Sequence, residues 1–134
     1  MSQPATPAPT RVTADSDWYA PTRISLGIRI GDLVFTSGQA PVDENGETVA
    51  PGDFAAQARQ AMAHVGTVLR HAGSGLDRLV KVTVFVTDIA HQALYAAVRE
   101  ESYAAPFPAE SFVQVAALAD PAWLIEIEAI GAVG

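Results

Sequence analysis

Leu79-Val80-Lys81-Val82-Thr83-Val84-Phe85-Val86 is β-branched and apolar along most of its length. In an extended chain Val80, Val82, Val84 and Val86 share one face, and Lys81, Thr83 and Phe85 share the other. A strand with apolar side chains on both faces belongs in the middle of a sheet. The sheet built around it therefore has two faces to bury.

On the N-terminal side of this strand, Phe54, Ala58, Ala61, Met62, Val65, Val68 and Leu69 recur at three- and four-residue steps. That is one apolar helix stripe. Asp53 is a suitable N-cap and Gly73 a suitable stop. On the C-terminal side, Asp88 can cap a second helix running to about Tyr103, with Leu94, Tyr95, Val98 and Tyr103 facing inward. Ala104 to Ala109 contains two prolines and reads as a loop. Ser111 to Leu118 reads as a strand, and Asp120-Pro121 as a turn. Leu124 to Ile130 is the last strand, with Ile125 and Ile127 on one face and Glu126 and Glu128 on the other. Near the start, Ile24, Leu26, Ile28 and Ile30 alternate with Ser25, Gly27 and Arg29. Gly31-Asp32 turns this strand into Leu33 to Thr36, giving a hairpin.

The order is β-β-α-β-α-β-β, a single α/β (α+β) domain with two helices on one face of a mixed sheet. Two helices cover one face only. The other keeps its apolar residues and needs a partner. Composition agrees, because 49% of the 134 residues are hydrophobic and only 17% are charged, against a usual charged share of about a quarter.

The net charge of −7 and the lack of a basic run exclude nucleic acid as the expected partner. The absence of cysteine excludes disulfides, thiolate metal sites and a cysteine nucleophile. His64, His71 and His91 are too scattered to suggest a metal site. Residues 1–18 read as a flexible leader, rich in Pro, Thr and Ala and without the pattern of a signal peptide. Residues 19–134 read as the folded domain. No stretch is apolar enough to span a membrane, which takes roughly 18 residues, and the expected compartment is the cytoplasm.

Four segments, in order, resemble the RidA (YjgF) family of reactive-intermediate deaminases. They are Gly31 to Gln39, Ala55-Ala56-Gln57-Ala58-Arg59-Gln60-Ala61, Val82 to Asp88, and Phe107-Pro108-Ala109 together with Ile125 to Ile130. The resemblance implies a chorismate-mutase-like fold. It also implies a homotrimer with a central barrel and small-molecule clefts between subunits, free of metal and cofactor. Members of the family hydrolyse enamines and imines derived from amino acids. An arginine before the penultimate strand clamps the substrate carboxylate. A glutamate in the last strand directs water to the imine carbon.

Carried over residue by residue, the resemblance assigns the catalytic glutamate to Glu126 and substrate positioning to Ser37 and Gly38. Glu128 shares the strand face of Glu126. A serine-histidine triad is not expected, since no histidine stands at a suitable spacing from Ser37. Where deaminases carry Pro-Ala-Arg-Ser, this chain has Pro108-Ala109-Glu110-Ser111. Losing the charge-assisted bond costs about 1.5–3 kcal/mol. Adding a like charge raises the penalty to about 4 kcal/mol, roughly a thousandfold in affinity. Glu110 reads either as a residue selecting a substrate without a carboxylate or as a solvated loop residue in a degenerate cleft. Phe112 stands where the family lines its cleft and reads as pocket wall or as packing. The family tyrosine before the first strand falls near Ile24, with Tyr19 five residues upstream. Arg23 is a candidate replacement cation. Two functions fit: a divergent hydrolase of an imine, enamine or related labile C–N bond, or a non-catalytic trimer that binds a metabolite or a protein.

Overall fold

The computed structural model describes residues 5–134. Eight elements form one sheet and two helices: β1 Thr10–Val12, β2 Gly27–Ile30, β3 Leu33–Thr36, α1 Phe54–His71, β4 Leu79–Val86, α2 Gln92–Ser102, β5 Ala109–Gln114 and β6 Ile125–Ala132. The strand order is β1-β2-β3-β6-β4-β5. β4 pairs with β5 in parallel, and every other pair is antiparallel. The expected α+β architecture is therefore present, with β4 and β6 at its centre.

The expected leader behaves differently from its composition. Its first residues, 1–4, lie outside the described residues, but Thr10–Val12 adds an edge strand to β2. Val12 and Trp18 are buried, and Arg11 binds Asp17 at 2.7 Å. Two apolar side chains reaching the core tie down a segment that Pro and Thr content alone marks as loose.

α1 begins where expected: Asp53 accepts a bond from the Ala56 N–H at 3.1 Å. It ends at Gly73, whose φ of +86° suits glycine. All seven positions of the expected stripe are buried. The helix sits close on the hairpin, and a Cβ at Gly27 would come within 2.7 Å of Val68 Cγ1. In α2, Tyr95 and Val98 are buried, whereas Leu94 is half exposed.

Three details of pairing differ from the sequence reading. A register shift between Leu79 and Lys81 turns Val80 outward, away from Val82, Val84 and Val86. The first hairpin strand is shorter than Ile24–Ile30, and Ile24 lies in the loop ahead of it. Arg29 reaches the helix side and donates to Ala72 O at 3.1 Å, so it serves the end of α1 rather than solvent.

Val34, Val82, Val84, Ile125 and Ile127 are fully buried under the helices. The pairings Ile28↔Phe35, Ile30↔Leu33, Phe35↔Ile130 and Phe85↔Glu126 place these side chains on the opposite face. No element among the described residues covers that face, and Leu33 and Phe35 remain about 40% exposed.

Candidate active site

The turn after β3 and the start of β6 are stitched together by buried glutamine. The backbone of Gln39 exchanges bonds with Ile127, at 2.7 and 3.1 Å. Its side chain accepts from Trp18 Nε1 at 2.9 Å and donates to Leu26 O and Ser37 O. Gln57 of α1 donates to Ala122 O and accepts from the Leu124 N–H, both at 2.9 Å. These two residues fix the Ser37-Gly38 turn and the entry to β6 in one frame, so Glu126 is held against Gly38.

The contact at Gly38 is tight. A Cβ there would sit 2.7 Å from Glu126 Cδ. Only glycine leaves room for the carboxylate. Above them lies a cleft of about 320 Å³, lined by Tyr19, Ile24, Ser37, Gly38, Trp123 and Glu126, with Thr22 and Ala119 at its rim. No basic side chain lines it.

Burial pushes the Glu126 carboxyl above the ordinary carboxylate range, and the nearby Glu128 pushes the same way. Tyr19 is raised to about 12 by burial, against the Ala40 N–H, and further by Glu126. It therefore stays protonated at neutral pH. Its hydroxyl donates to Gly38 O and accepts from the Ala40 N–H at 3.0 Å, holding the turn in place. The Ser37 hydroxyl donates to Ser25 O, which leaves it a tether for the turn. Trp123 donates through Nε1 to Thr48 Oγ1 at 3.0 Å and lines the cleft.

Glu110 and Phe112 lie elsewhere. They pair with Val82 and Val84 and so face the helices. Glu110 is not a solvated loop residue. It lies in β5, half-buried, and Arg99 of α2 grips it through Nη2 at 2.5 Å and Nε at 3.1 Å to Oε2. The Tyr103 hydroxyl donates to Oε1 at 2.9 Å, and Tyr95 bonds Tyr103 in turn at 2.8 Å. A second cleft of about 360 Å³ opens here between Arg99, Tyr103, Phe107, Pro108 and Glu110, with exposed Glu100 at its edge. Phe112 packs its ring on Tyr95, centroids 5.5 Å apart, below that cleft. Arg23 lies in a shallow groove with Arg11, Asp17 and Tyr19, next to the Glu126 cleft but not in it.

The structure thus brings Ser37, Gly38, Ile24 and Glu126 together, and sets Glu110 and Phe112 on the other side of the sheet. Sequence reasoning placed Ile24 rather than Tyr19 in the site, and missed Trp123 as a cleft wall and Arg99 as the partner of Glu110. Tyr19 is signalled by the family tyrosine expected ahead of the first strand, five residues from Ile24. Arg99 carries no local signal, because its partner is eleven residues away across a loop.

A family model described as endoribonuclease L-PSP matches residues 16–133. The chain belongs to the RidA (YjgF) family. The RidA-family chain is 43% identical over 108 residues to the 2-iminobutanoate/2-iminopropanoate deaminase of Escherichia coli strain K12, covering 78% of this chain and 82% of the relative. Among solved structures it is similar to the YjgF gene product of E. coli, with a TM-score of 0.79 and 36% identity over 92% of this chain and 98% of that one. It is also similar to RidA from the Antarctic bacterium Psychrobacter sp. PAMC 21119, with a TM-score of 0.84 and 30% identity over 92% and 99%. No described helix of the RidA-family chain is long and apolar enough to cross a membrane.

Proposed function

We propose that this protein is a divergent RidA-type hydrolase that cleaves the C–N bond of an imine or enamine in a small metabolite, without an arginine–carboxylate anchor. The supporting observation is the half-buried Glu126, raised in pKa and wedged on Gly38, together with Glu110 standing where the family carries its arginine. In this reading Glu126 takes a proton from water as its oxygen adds to the imine carbon. The resulting carboxylic acid then protonates the amine nitrogen of the carbinolamine. Starting from the protonated imine, the regenerated carboxylate takes the carbinolamine hydroxyl proton as the C–N bond breaks and then returns it to the leaving ammonia, so protonated imine plus water gives ketone or aldehyde plus ammonium. Gly38 O, Ser37 and Tyr19 shape the side of the cleft next to the reacting carbon.

The protein works as a cofactor-free and metal-free cytoplasmic homotrimer. The uncovered sheet face, with Ile28, Leu33, Phe35, Phe85 and Ile130, lines the central barrel. Because Glu126 and Glu110 face opposite sides of one sheet, both can border one substrate only if Glu110 comes from a neighbouring copy.

The test is ammonia release from imines generated in situ, some derived from amino acids and some from amines lacking a carboxylate. Acceleration is expected with the second group and near-absence with the first. No acceleration with any imine favours a trimer that only binds a metabolite or protein. Equal rates with both groups remove the role given to the missing anchor.

A further inference from the structure

Every polar atom of the Glu110 carboxylate is engaged. Oε2 accepts from Arg99 Nη2 at 2.5 Å and Nε at 3.1 Å, and Oε1 accepts from Tyr103 at 2.9 Å and Arg99 Nε at 3.3 Å. Arg99 in turn lies over the Tyr95 ring, 5.2 Å from its centroid. The pair is only partly open to solvent, with side-chain exposures of 34% for Arg99 and 16% for Glu110. Its attraction is therefore less screened than that of the surface pair Arg59–Glu101. Arg99 Nη1 makes no hydrogen bond among the described residues, and the guanidinium borders the 360 Å³ cleft beside Phe107 and Pro108.

We propose that Glu110 is a charge gate on Arg99: it holds a guanidinium already placed in the cleft in a neutral pair, so the site selects uncharged imines and excludes those carrying a carboxylate. This rests on the hydrolase reading above, with Glu110 bordering the substrate. Arg99 is then a latent carboxylate clamp. A fork–fork contact uses two parallel N–H donors; Glu110 occupies the Nε and Nη2 pair and cancels the charge that would hold a carboxylate on the remaining Nη1 side. The N–H groups left on Nη1 and Nη2 belong to a neutral pair and suit a neutral acceptor such as a carbonyl or amide oxygen. The apolar side chains of Phe107 and Pro108 suit an apolar or aromatic substituent. Glu100 is exposed, so its charge is screened and does not substitute for Glu110.

The gate predicts that removing Glu110's charge creates carboxylate binding without adding an arginine. Titrations with 2-oxobutanoate, a product analogue bearing a carboxylate, and with butanone, its uncharged counterpart, measure this by calorimetry or ligand-observed NMR. The natural protein should not prefer 2-oxobutanoate. Glu110→Gln keeps an acceptor for Tyr103 and should bind 2-oxobutanoate about ten- to hundredfold more tightly, the range of one charge-assisted bond, with no comparable gain for butanone. Adding Arg99→Ala to Glu110→Gln should abolish the gain. An absent gain overturns the proposal, as does a gain that survives loss of Arg99. The natural protein gives a second check: tenfold preference for 2-oxobutanoate, lost in Arg99→Ala alone, means that Arg99 was never gated. Because the readout is binding, a failure of turnover would count against the hydrolase reading alone.

Discussion

Glu110 and Glu126 project from opposite faces of the same sheet. Glu110 pairs with Val82, over which the helices pack, while Glu126 pairs with Phe85 on the face that no described element covers. One carboxylate is tied into a polar network and the other is nearly alone in an apolar cleft. Their chemistry differs for that reason.

Glu126→Gln should abolish imine hydrolysis by about 10²–10⁴-fold, the usual contribution of general acid–base catalysis. It should also stabilise the fold at neutral pH. The folded-state pKa of Glu126 lies above its unfolded value of about 4.5. Its ionisation therefore opposes folding, beginning as pH rises through the unfolded value and complete above the folded one. Thermal unfolding should show a higher Tm for the variant at pH 8 and no difference near pH 3. A variant that is inactive but no more stable at pH 8 would leave the burial argument without support.

Gly38→Ala separates function from folding. Gly38 does not have a left-handed backbone, so alanine is not strained there and even restricts the unfolded chain. Its methyl group would collide with the Glu126 carboxylate, 2.7 Å from Cδ. The side chain must swing away, so kcat should fall at least tenfold while Tm moves by only a few degrees. Full activity in this variant would show that Glu126 does not work from the position it holds against Gly38.

His64 makes stability depend on pH from a place remote from the cleft. Its ring stacks on Trp18 at 3.9 Å, and Nε2 donates to Val42 O at 2.6 Å. Burial lowers its pKa below 6.5, although the Val42 carbonyl, Glu44 and Asp43 pull the other way. Protonation then favours the unfolded chain, so stability should rise as pH rises through about 6.5, with the full penalty below the folded-state value. His64→Gln keeps a donor for Val42. The difference in unfolding free energy between the natural protein and the variant should grow between pH 5 and pH 7.5. A constant difference would mean that the ring is not held neutral.

Phe35→Lys tests the uncovered face. Phe35 pairs with Ile28 and Ile130 and stays 39% exposed in the single chain. A lysine there would be buried without a partner in a trimer, which costs several kcal/mol per copy. Light scattering should give three times the 14.0 kDa chain mass for the natural protein and a single-chain mass for the variant. A natural protein that is itself monomeric would remove the barrel.

Periodicity carried most of the fold. The helix from Phe54 to His71 was legible because its apolar spacing, its Asp53 cap and its Gly73 stop are all local. The two-faced strand from Leu79 to Val86 was legible because alternation is local too. Pairing irregularities were not. Val80 obeys the alternation of its strand and is turned outward by a register shift against β6, which depends on residues fifty positions away. The edge strand at Thr10–Val12 was hidden in a segment whose composition suggests a loose leader, since its order comes from Val12 and Trp18 reaching a core built later in the chain.

The site divides in the same way. Residue order alone specifies which residue types are available: a glutamate in the last strand, a Ser-Gly turn, and a glutamate at position 110. Their roles come from the neighbours that folding gives them. Closeness to Gly38 and burial set the state of Glu126. Tyr19 became a cleft wall because its loop folds back over Ala40. Glu110 was neutralised by Arg99 from another element. Charge, reach and proton affinity depend on what surrounds a side chain, and those surroundings are assembled from distant parts of the chain.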